Sequence, residues 1–156
     1  MKIEKELPLR IGVGIVLLNQ ENKVFVGKRI DNPENLWQMP QGGINNNEDF
    51  FDAAKRELKE ETSIKNIELV KKIEGWLTYE LPDNLLGKIW QGKYRGQKQK
   101  WFIFKFVGKD KEINIKTKTP EFLDWKWIEF EKLPEVVVSF KINIYKQIKE
   151  ELLNLN

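Results

Sequence analysis

The chain has 156 residues, of which 40% are hydrophobic and 12% aromatic, a composition that suits one globular domain with a sizeable core. It contains no cysteine and no histidine, which excludes a disulfide framework, a thiolate nucleophile, a Ser-His-Asp triad and a zinc site built from those residues. Any metal must therefore be held by oxygen ligands, as magnesium, manganese and calcium are, and a net charge of +3 is too small to indicate a partner.

The predicted elements begin with strands at 10–18 and 23–28, which form a hairpin through the turn at 19–22. A loop with Pro33, Pro40, Gly42 and Gly43 and a helix at 49–61 follow. Strands at 67–76, 101–107 and 121–128 and a helix at 140–153 complete the order. The helix at 49–61 lacks glycine and proline and places Phe51, Ala54 and Leu58 at helical spacing. This order of elements predicts a mixed α/β fold.

Nothing in the sequence divides the chain, because it has no internal repeat, low-complexity tract or linker. We therefore expect a single domain over residues 8–150. The longest strongly apolar stretch, residues 11–18, is far shorter than the roughly 20 residues that a helix needs to cross a bilayer. We expect no membrane partner and a cytoplasmic location.

Three glutamates share one face of the predicted helix at 49–61. At about 100° per residue, Glu60 and Glu61 lie to either side of Glu57, beside the apolar stripe and so at the rim of the buried surface. Like charges at this spacing cost a few tenths of a kcal/mol per pair, and a divalent cation would offset that repulsion. The alternative interpretation is a solvated acidic face that is neutralised by the basic residues of the same helix.

The glycines before this helix and the charges within it form one longer pattern. Residues 42–64 read GGINNNEDFFDAAKRELKEETSI, which resembles the signature of the Nudix hydrolases, G-x5-E-x7-R-E-U-x-E-E-x-G-U, where U is a bulky aliphatic residue. The matching positions are Gly42, Glu48, Arg56, Glu57, Leu58, Glu60, Glu61 and Ile64. Ser63 stands where the signature has glycine, and a left-handed serine costs roughly 1 kcal/mol, so the turn that ends the helix is where we expect a difference.

This resemblance implies a Nudix α/β/α sandwich with a central mixed β-sheet. It also implies an enzyme in which water hydrolyses the phosphoric anhydride of a nucleoside diphosphate linked to another group, with Mg²⁺ or Mn²⁺ and more than one ion during turnover. The implied metal ligands are Gly42 (through its carbonyl), Glu57, Glu60 and Glu61.

The resemblance further implies a catalytic set formed by Glu57, Arg56 and Glu121. Arg56 would hold Glu57 in position through an ion pair, and Glu48 would order the loop. Glu121 would act as a base or a further ligand. As an isolated observation, Glu121 could simply end the turn that follows Pro120.

Strings outside the signature resemble one branch of the family, namely WQMPQGGI at 37–44, GQKQKWF at 96–102, TPEFLDWKW at 119–127 and VVSFK at 137–141. That branch removes pyrophosphate from the 5′-triphosphate end of RNA to leave a 5′-monophosphate, which promotes RNA decay, or hydrolyses dinucleoside polyphosphates. We expect the RNA activity, with diadenosine polyphosphate hydrolysis as the alternative. A non-enzymatic alternative is an RNA-end or metal-binding module without turnover. We expect a monomer that does not act on DNA.

The segment from Gly87 to Trp101 is basic and aromatic and contains no acid. Lys93, Arg95 and Lys100 in this segment are candidates for binding RNA phosphates beside stacking rings. The alternative is a solvated basic loop with its aromatic residues in the core. The resemblance implies five further substrate-binding residues, namely Arg10, Arg29, Tyr79, Phe140 and Lys141. Without the resemblance, they would be interpreted as core or surface residues.

Overall fold

The computed structural model describes residues 6–32 and 34–155, so Pro33 of the predicted loop lies outside the described residues. The strands are β1 Leu9–Leu18, β2 Val24–Arg29, β3 Trp37–Gln38, β4 Gln41–Gly43, β5 Ile67–Lys72, β6 Leu77–Glu80, β7 Gly96–Phe106 and β8 Phe122–Ile128. The α-helices are α1 Phe50–Thr62, α2 Leu133–Val136 and α3 Ile142–Leu153. None of the helices in the described ranges combines the length and the apolar character needed to cross a membrane.

The strands form one mixed sheet. Its central order is β3-β2-β1-β7-β5, with β4 paired to β1, β6 to β7 and β8 to β2. Strands β1 and β7 run parallel, from the Leu9 and Gly96 pair to the Leu18 and Lys105 pair, and the other pairings are antiparallel. The parallel pair brings the starts of both central strands to the same end of the sheet.

Side chains of β1 alternate between two apolar layers. Val13 and Ile15 pack in the layer under α1 with Leu58, and all three are fully buried. Val16 faces the opposite layer, which contains Ile148 of α3. Helices therefore cover both faces of the sheet, which confirms the predicted α/β fold with a central mixed sheet.

The ends of α1 are set by capping residues. The Asp49 side chain accepts a hydrogen bond from the Asp52 backbone N–H at 2.8 Å, so Asp49 caps the helix instead of beginning it. Ser63 ends the helix in the left-handed conformation, with φ of 67°, which is the conformation expected at the glycine position. Its hydroxyl donates to the Asn114 carbonyl oxygen at 2.8 Å, a bond that glycine could not make. The substitution of serine for glycine therefore leaves the turn intact.

The structure differs from the predicted elements by more than one residue in four places. The predicted loop around Pro40 contains the short strands β3 and β4, which exist through their pairing with β2 and β1. The predicted strand at 67–76 ends at Lys72, and β6 follows as a separate strand. Strand β7 starts at Gly96, before the predicted 101–107, because the polar run 96–99 pairs with β6. The final helix starts at Ile142, since residues 139–141 form a 3₁₀ turn.

Candidate active site

Arg56 connects the loop before α1 to the helix. Its guanidinium donates to the two carboxylate oxygens of Glu48 at 2.8 and 2.9 Å and to the Gly43 carbonyl oxygen at 2.9 Å. Glu48 also accepts from the Asn45 backbone N–H at 3.0 Å. Arg56, and then the Asn45 bond, lowers the pKa of the Glu48 carboxyl to about 2. This network fixes the loop next to the acidic face of the helix.

The same guanidinium positions Glu57. Arg56 Nη1 donates to Glu57 Oε1 at 2.9 Å. Burial raises the pKa of the Glu57 carboxyl, and the Arg56 bond opposes that rise. A Cβ atom on residue 42 would overlap the Glu57 carboxyl group, so glycine is required at Gly42 for the carboxylate to lie against the backbone there.

Glu61 is a buried carboxylate that lacks a hydrogen-bond donor. Its residue is 2% exposed, and within the described residues neither of its oxygens has a hydrogen-bond partner. Burial, followed by the nearby Glu121 carboxylate, raises the pKa of Glu61 well above its usual range. Two ionised carboxylates can only accept, so a hydrogen bond between Glu61 and Glu121 requires a proton held on one of them. A divalent cation bound between the two carboxylates would neutralise their charge, so that neither would need to hold a proton.

Glu60 occupies a different environment from its two neighbours. Its side chain is 58% exposed and pairs with Arg56 at 3.2 Å. It does not line the cavity that Glu57 borders. The three glutamates therefore differ in exposure, from buried Glu61 to exposed Glu60. Helical spacing predicted that all three lie at the rim of the buried surface, and in the structure only Glu57 lies there.

The oxygen donors at this site fit a divalent cation of the magnesium or manganese type. Glu57 offers a carboxylate beside the Gly42 backbone, and Glu61 and Glu121 offer further carboxylates near it. These ions prefer oxygen ligands. The observation that points to a ligand is the pair of buried, unpartnered oxygens of Glu61. Across residues 6–32 and 34–155 no three acidic side chains converge closely enough to form a complete metal cage. Water or phosphate oxygens would therefore have to complete the coordination.

A cavity of about 640 Å³ opens beside these acids, within the usual size range of small-ligand sites. Glu57 and Glu121 line one part of it together with Gly42 and Gly43. The other predicted site residues that line the cavity are Arg10, Arg29, Tyr79, Phe140 and Lys141. One cavity thus brings acids, cations and aromatic rings together.

Two arginines are held in the cavity wall by polar partners. Arg29 donates to both carboxylate oxygens of Asp31 at 2.7 Å, which raises the pKa of Arg29 and lowers that of Asp31. Arg10 donates to Gln97 Oε1 at 3.2 Å, and its guanidinium carbon lies 5.6 Å from the centre of the Trp90 ring. Both guanidinium groups are therefore oriented before any ligand binds.

Lys141 is a buried cation in the same wall. The residue is 6% exposed, and its Nζ lies 3.5 Å from Gln38 Oε1 and 5.3 Å from the centre of the Tyr79 ring. Burial, followed by repulsion from Arg29, lowers the pKa of Lys141 to about 7. An anion bound in the cavity would stabilise the charged ammonium form.

Tyr79 and Phe140 form the aromatic part of the cavity. Their ring centres lie 5.6 Å apart with the planes tilted by 41°. The Tyr79 hydroxyl accepts a hydrogen bond from Gln97 Nε2 at 2.7 Å, which fixes the ring. Tyr79 is buried and Phe140 is partly exposed, so the Phe140 ring is the one that can stack a nucleobase.

Three basic residues predicted to bind substrate lie outside this cavity. Arg95 donates to Glu80 at 2.9 Å, and Lys93 is exposed on the loop before β7. Lys100 lies on the face of β7 opposite to Gln97, because successive strand residues point to opposite sides. The basic segment 87–101 is therefore split between separate surfaces.

The buried amides of this region were not predicted from the sequence. Gln97 and Gln99 are fully buried, and Gln99 Nε2 donates to Gln41 Oε1 at 3.1 Å. Gln38 lines the cavity, and its Nε2 has no hydrogen-bond partner within the described residues. The alternation of glutamine with lysine in GQKQK was the available signal, since period-two patterns mark strands with one buried face.

Comparison with known proteins agrees with this geometry. The NUDIX domain profile matches residues 8–148. The RNA pyrophosphohydrolase of Pelagibacter ubique (strain HTCC1062) is 64% identical over 151 residues, which cover 95% of this chain and 96% of that protein. The RNA pyrophosphohydrolase of Rhodospirillum rubrum is 48% identical over 146 residues, which cover 94% of this chain and 88% of that protein.

A solved structure shows the same fold at lower identity. The E. coli dihydroneopterin triphosphate pyrophosphohydrolase superposes with a TM-score of 0.71 at 21% identity, covering 94% of this chain and 99% of that one. The fold and site define an α/β/α domain with a loop-helix-loop that carries clustered glutamates. The chain belongs to the Nudix family. The resemblance found in residues 42–64 is therefore confirmed.

Proposed function

We propose that this protein is a cation-dependent Nudix hydrolase that removes pyrophosphate from the 5′-triphosphate end of RNA, leaving a 5′-monophosphate end and promoting RNA decay. The observation that carries the proposal is a cavity whose wall contains Glu57 of α1 and Glu121 together with cations and aromatic rings. A nucleotide that bears a polyphosphate matches both parts of this cavity. The 64% and 48% identity to proteins named RNA pyrophosphohydrolase supports the choice of substrate.

The proposed cation ligands are the Gly42 carbonyl, Glu57, Glu60 and Glu61. Bound Mg²⁺ or Mn²⁺, with more than one ion during turnover, would neutralise phosphate oxygens and lower the pKa of the attacking water. The buried, unpartnered oxygens of Glu61 support its assignment. Glu60 would have to give up its bond to Arg56 to serve as a ligand.

The side chains have separate proposed roles in the reaction. Arg56 holds Glu57 in place, and Glu121 accepts the proton of the attacking water. As the new P–O bond forms, the anhydride bond to the leaving group breaks and pyrophosphate departs with the bonding electron pair. The contacts described above fix the positions of Arg56 and Glu57.

The cavity wall supplies the proposed substrate contacts. Arg10, Arg29 and Lys141 bind the phosphates, and Phe140, packed against Tyr79, stacks a base. Each of these side chains lines the one cavity of the described residues that also contains Glu57. We also propose a monomer with a single domain at 8–150, acting on RNA and not on DNA, in the cytoplasm.

The test is a competition in one reaction. A 5′-triphosphorylated RNA of about a dozen nucleotides and diadenosine tetraphosphate are mixed with the protein and Mg²⁺ or Mn²⁺, and the product ends and released phosphates are quantified. We expect pyrophosphate and 5′-monophosphorylated RNA as the main products, and no turnover in excess chelator. Preferential cleavage of diadenosine tetraphosphate would favour the dinucleotide activity. RNA binding without phosphate release would favour a module without turnover.

A further inference from the structure

The α1 side of the sheet carries a second group of aromatic and basic side chains, outside the cavity. Trp76 is 41% exposed, and the Nζ atoms of Lys98 and Lys100 lie 4.8 and 4.4 Å from the centre of its ring. Phe50, the first residue of α1, contacts Trp76 edge-on at 5.5 Å. We call these four residues the tryptophan-lysine patch.

The patch carries two positive charges, one on the ammonium group of each lysine. In the described part of the chain neither Lys98 nor Lys100 forms an ion pair with a carboxylate. Lys100 donates to the Gly75 carbonyl oxygen at 3.3 Å, and both lysines approach the same ring. Like charges repel each other, and a bound anion reduces that repulsion. The patch therefore offers a positive potential beside an exposed stacking surface.

The register of the sheet places the patch close to the acidic site. Val13 of β1 pairs with Gly42 on one side and with Lys100 on the other. Lys100 therefore lies two strand spacings from Gly42, roughly 10 Å. In β7, Gln97 lines the cavity and the next residue, Lys98, points to the patch. A ligand held in the cavity must extend around the end of the central strands to reach the patch.

This placement favours one occupant over others. An anion alone would not use the exposed Trp76 ring, and an acidic protein surface would not need a site beside the cavity. A single-stranded RNA supplies phosphates and bases in alternation, and aromatic rings beside cations are the surfaces that bind it. An RNA whose 5′ end lies in the cavity has further nucleotides to place on this surface.

We propose that the tryptophan-lysine patch binds the RNA chain downstream of the reacting 5′ end, with a base stacked on Trp76 and phosphates bound by Lys98 and Lys100. This inference rests on the proposed RNA substrate. It gives the protein a preference for RNA chains that are long enough to reach from the cavity to the patch.

The experiment compares a 5′-triphosphorylated dinucleotide with a 5′-triphosphorylated RNA of about a dozen nucleotides. The variants are Trp76→Ala and Lys98→Gln/Lys100→Gln, and the matched charge control is Lys146→Gln/Lys149→Gln on α3. For Trp76→Ala we expect kcat/KM on the long RNA to fall roughly fivefold to fiftyfold more than on the dinucleotide. The double lysine variant should also flatten the salt dependence on the long RNA, by about 0.7 in slope for each lost phosphate contact. The control should change neither substrate.

A second measurement is independent of turnover. Fluorescence anisotropy of a labelled 5′-hydroxyl RNA should show weaker binding for both patch variants and unchanged binding for the control. Equal losses on the two substrates, or unchanged RNA binding in the patch variants, would overturn the proposed patch. Absence of pyrophosphate release from the dinucleotide and from the long RNA would instead refute the proposed function, while the anisotropy result would still decide whether the patch binds RNA.

Discussion

Replacing Lys141 with methionine is expected to stabilise the fold below pH 7 and to weaken substrate binding. Lys141 is buried, and its pKa falls from 10.5 to about 7 in the folded protein. The folded state therefore binds fewer protons than the unfolded state between these two values, so stability rises with pH through that window. The charged ammonium destabilises the fold most at pH values below the folded pKa.

The size of the destabilisation follows from the difference between the folded and unfolded pKa values of Lys141. With a folded pKa of about 7, the charge penalty is about 5 kcal/mol near pH 6, about 3 kcal/mol near pH 8.5 and about 1 kcal/mol near pH 10. Methionine removes this penalty but also loses the contacts of the ammonium with Gln38 and the Tyr79 ring, which contribute about 1 to 2 kcal/mol. We expect a net stabilisation of about 3 kcal/mol near pH 6 that disappears near pH 10.

The assay is urea unfolding of wild type and Lys141→Met at several pH values, because titratable groups that do not interact with Lys141 cancel in the difference. Steady-state kinetics on triphosphorylated RNA should show KM higher by roughly tenfold or more, since a charged phosphate contact is lost. A stability difference that stays constant from about pH 6 to about pH 10 would refute the argument from burial. A matched control is Lys146→Met, which changes an exposed lysine of α3.

Three further substitutions test the acidic site and the stacking surface. Glu61→Gln should lower kcat at least about a hundredfold, because it removes a proposed cation ligand. It should also raise the free energy of unfolding, because it removes a buried carboxylate that faces Glu121. Kinetics measures the first effect and urea unfolding the second. Gly42→Ala should lower kcat strongly, since its Cβ overlaps the Glu57 carboxyl group, and the circular dichroism spectrum should be unchanged. Phe140→Ala should raise KM about fivefold or more for both triphosphorylated RNA and diadenosine tetraphosphate, because both place a base beside the phosphates.

For each of these three substitutions, one outcome would contradict the prediction. Near-normal turnover of Glu61→Gln at saturating Mg²⁺ would remove Glu61 from the ligand set. Full activity of Gly42→Ala would mean that Glu57 does not need its observed position. A loss confined to one substrate in Phe140→Ala would show that the other substrate binds its base elsewhere.

Local sequence was enough to predict the acidic helix and the first hairpin. The helix at 49–61 and the structural helix α1 differ by one residue at each end, since the apolar spacing and the Asp49 cap act within a few residues. Asn19 Oδ1 accepts from the backbone N–H groups of Glu21 and Lys23, so the predicted turn is also stabilised locally. The contact between Arg56 and Glu57 is local as well, because the two residues are neighbours in the sequence.

The charge pattern of residues 87–101 could not predict which surface of the protein each basic side chain lies on. Arg95 pairs with Glu80, Lys93 is exposed on a loop, and Lys98 with Lys100 lies on the opposite face from Gln97. The separation arises because β7 starts earlier than its apolar content indicates, and its register with β6 sets which side chains point to each face. A list of basic residues contains no information about that register.

The sequence by itself determined the family, the acidic helix and the exclusion of thiol and imidazole chemistry, because composition and helical spacing are local properties. Only the tertiary structure decided which acids are buried and which cations share their cavity. Glu60 and Glu61 are adjacent, yet one is exposed and the other is buried beside Glu121, which is 60 residues further along the chain. Burial and the distance between remote residues depend on how the helices pack on the sheet, and these set the pKa values and the contents of the site.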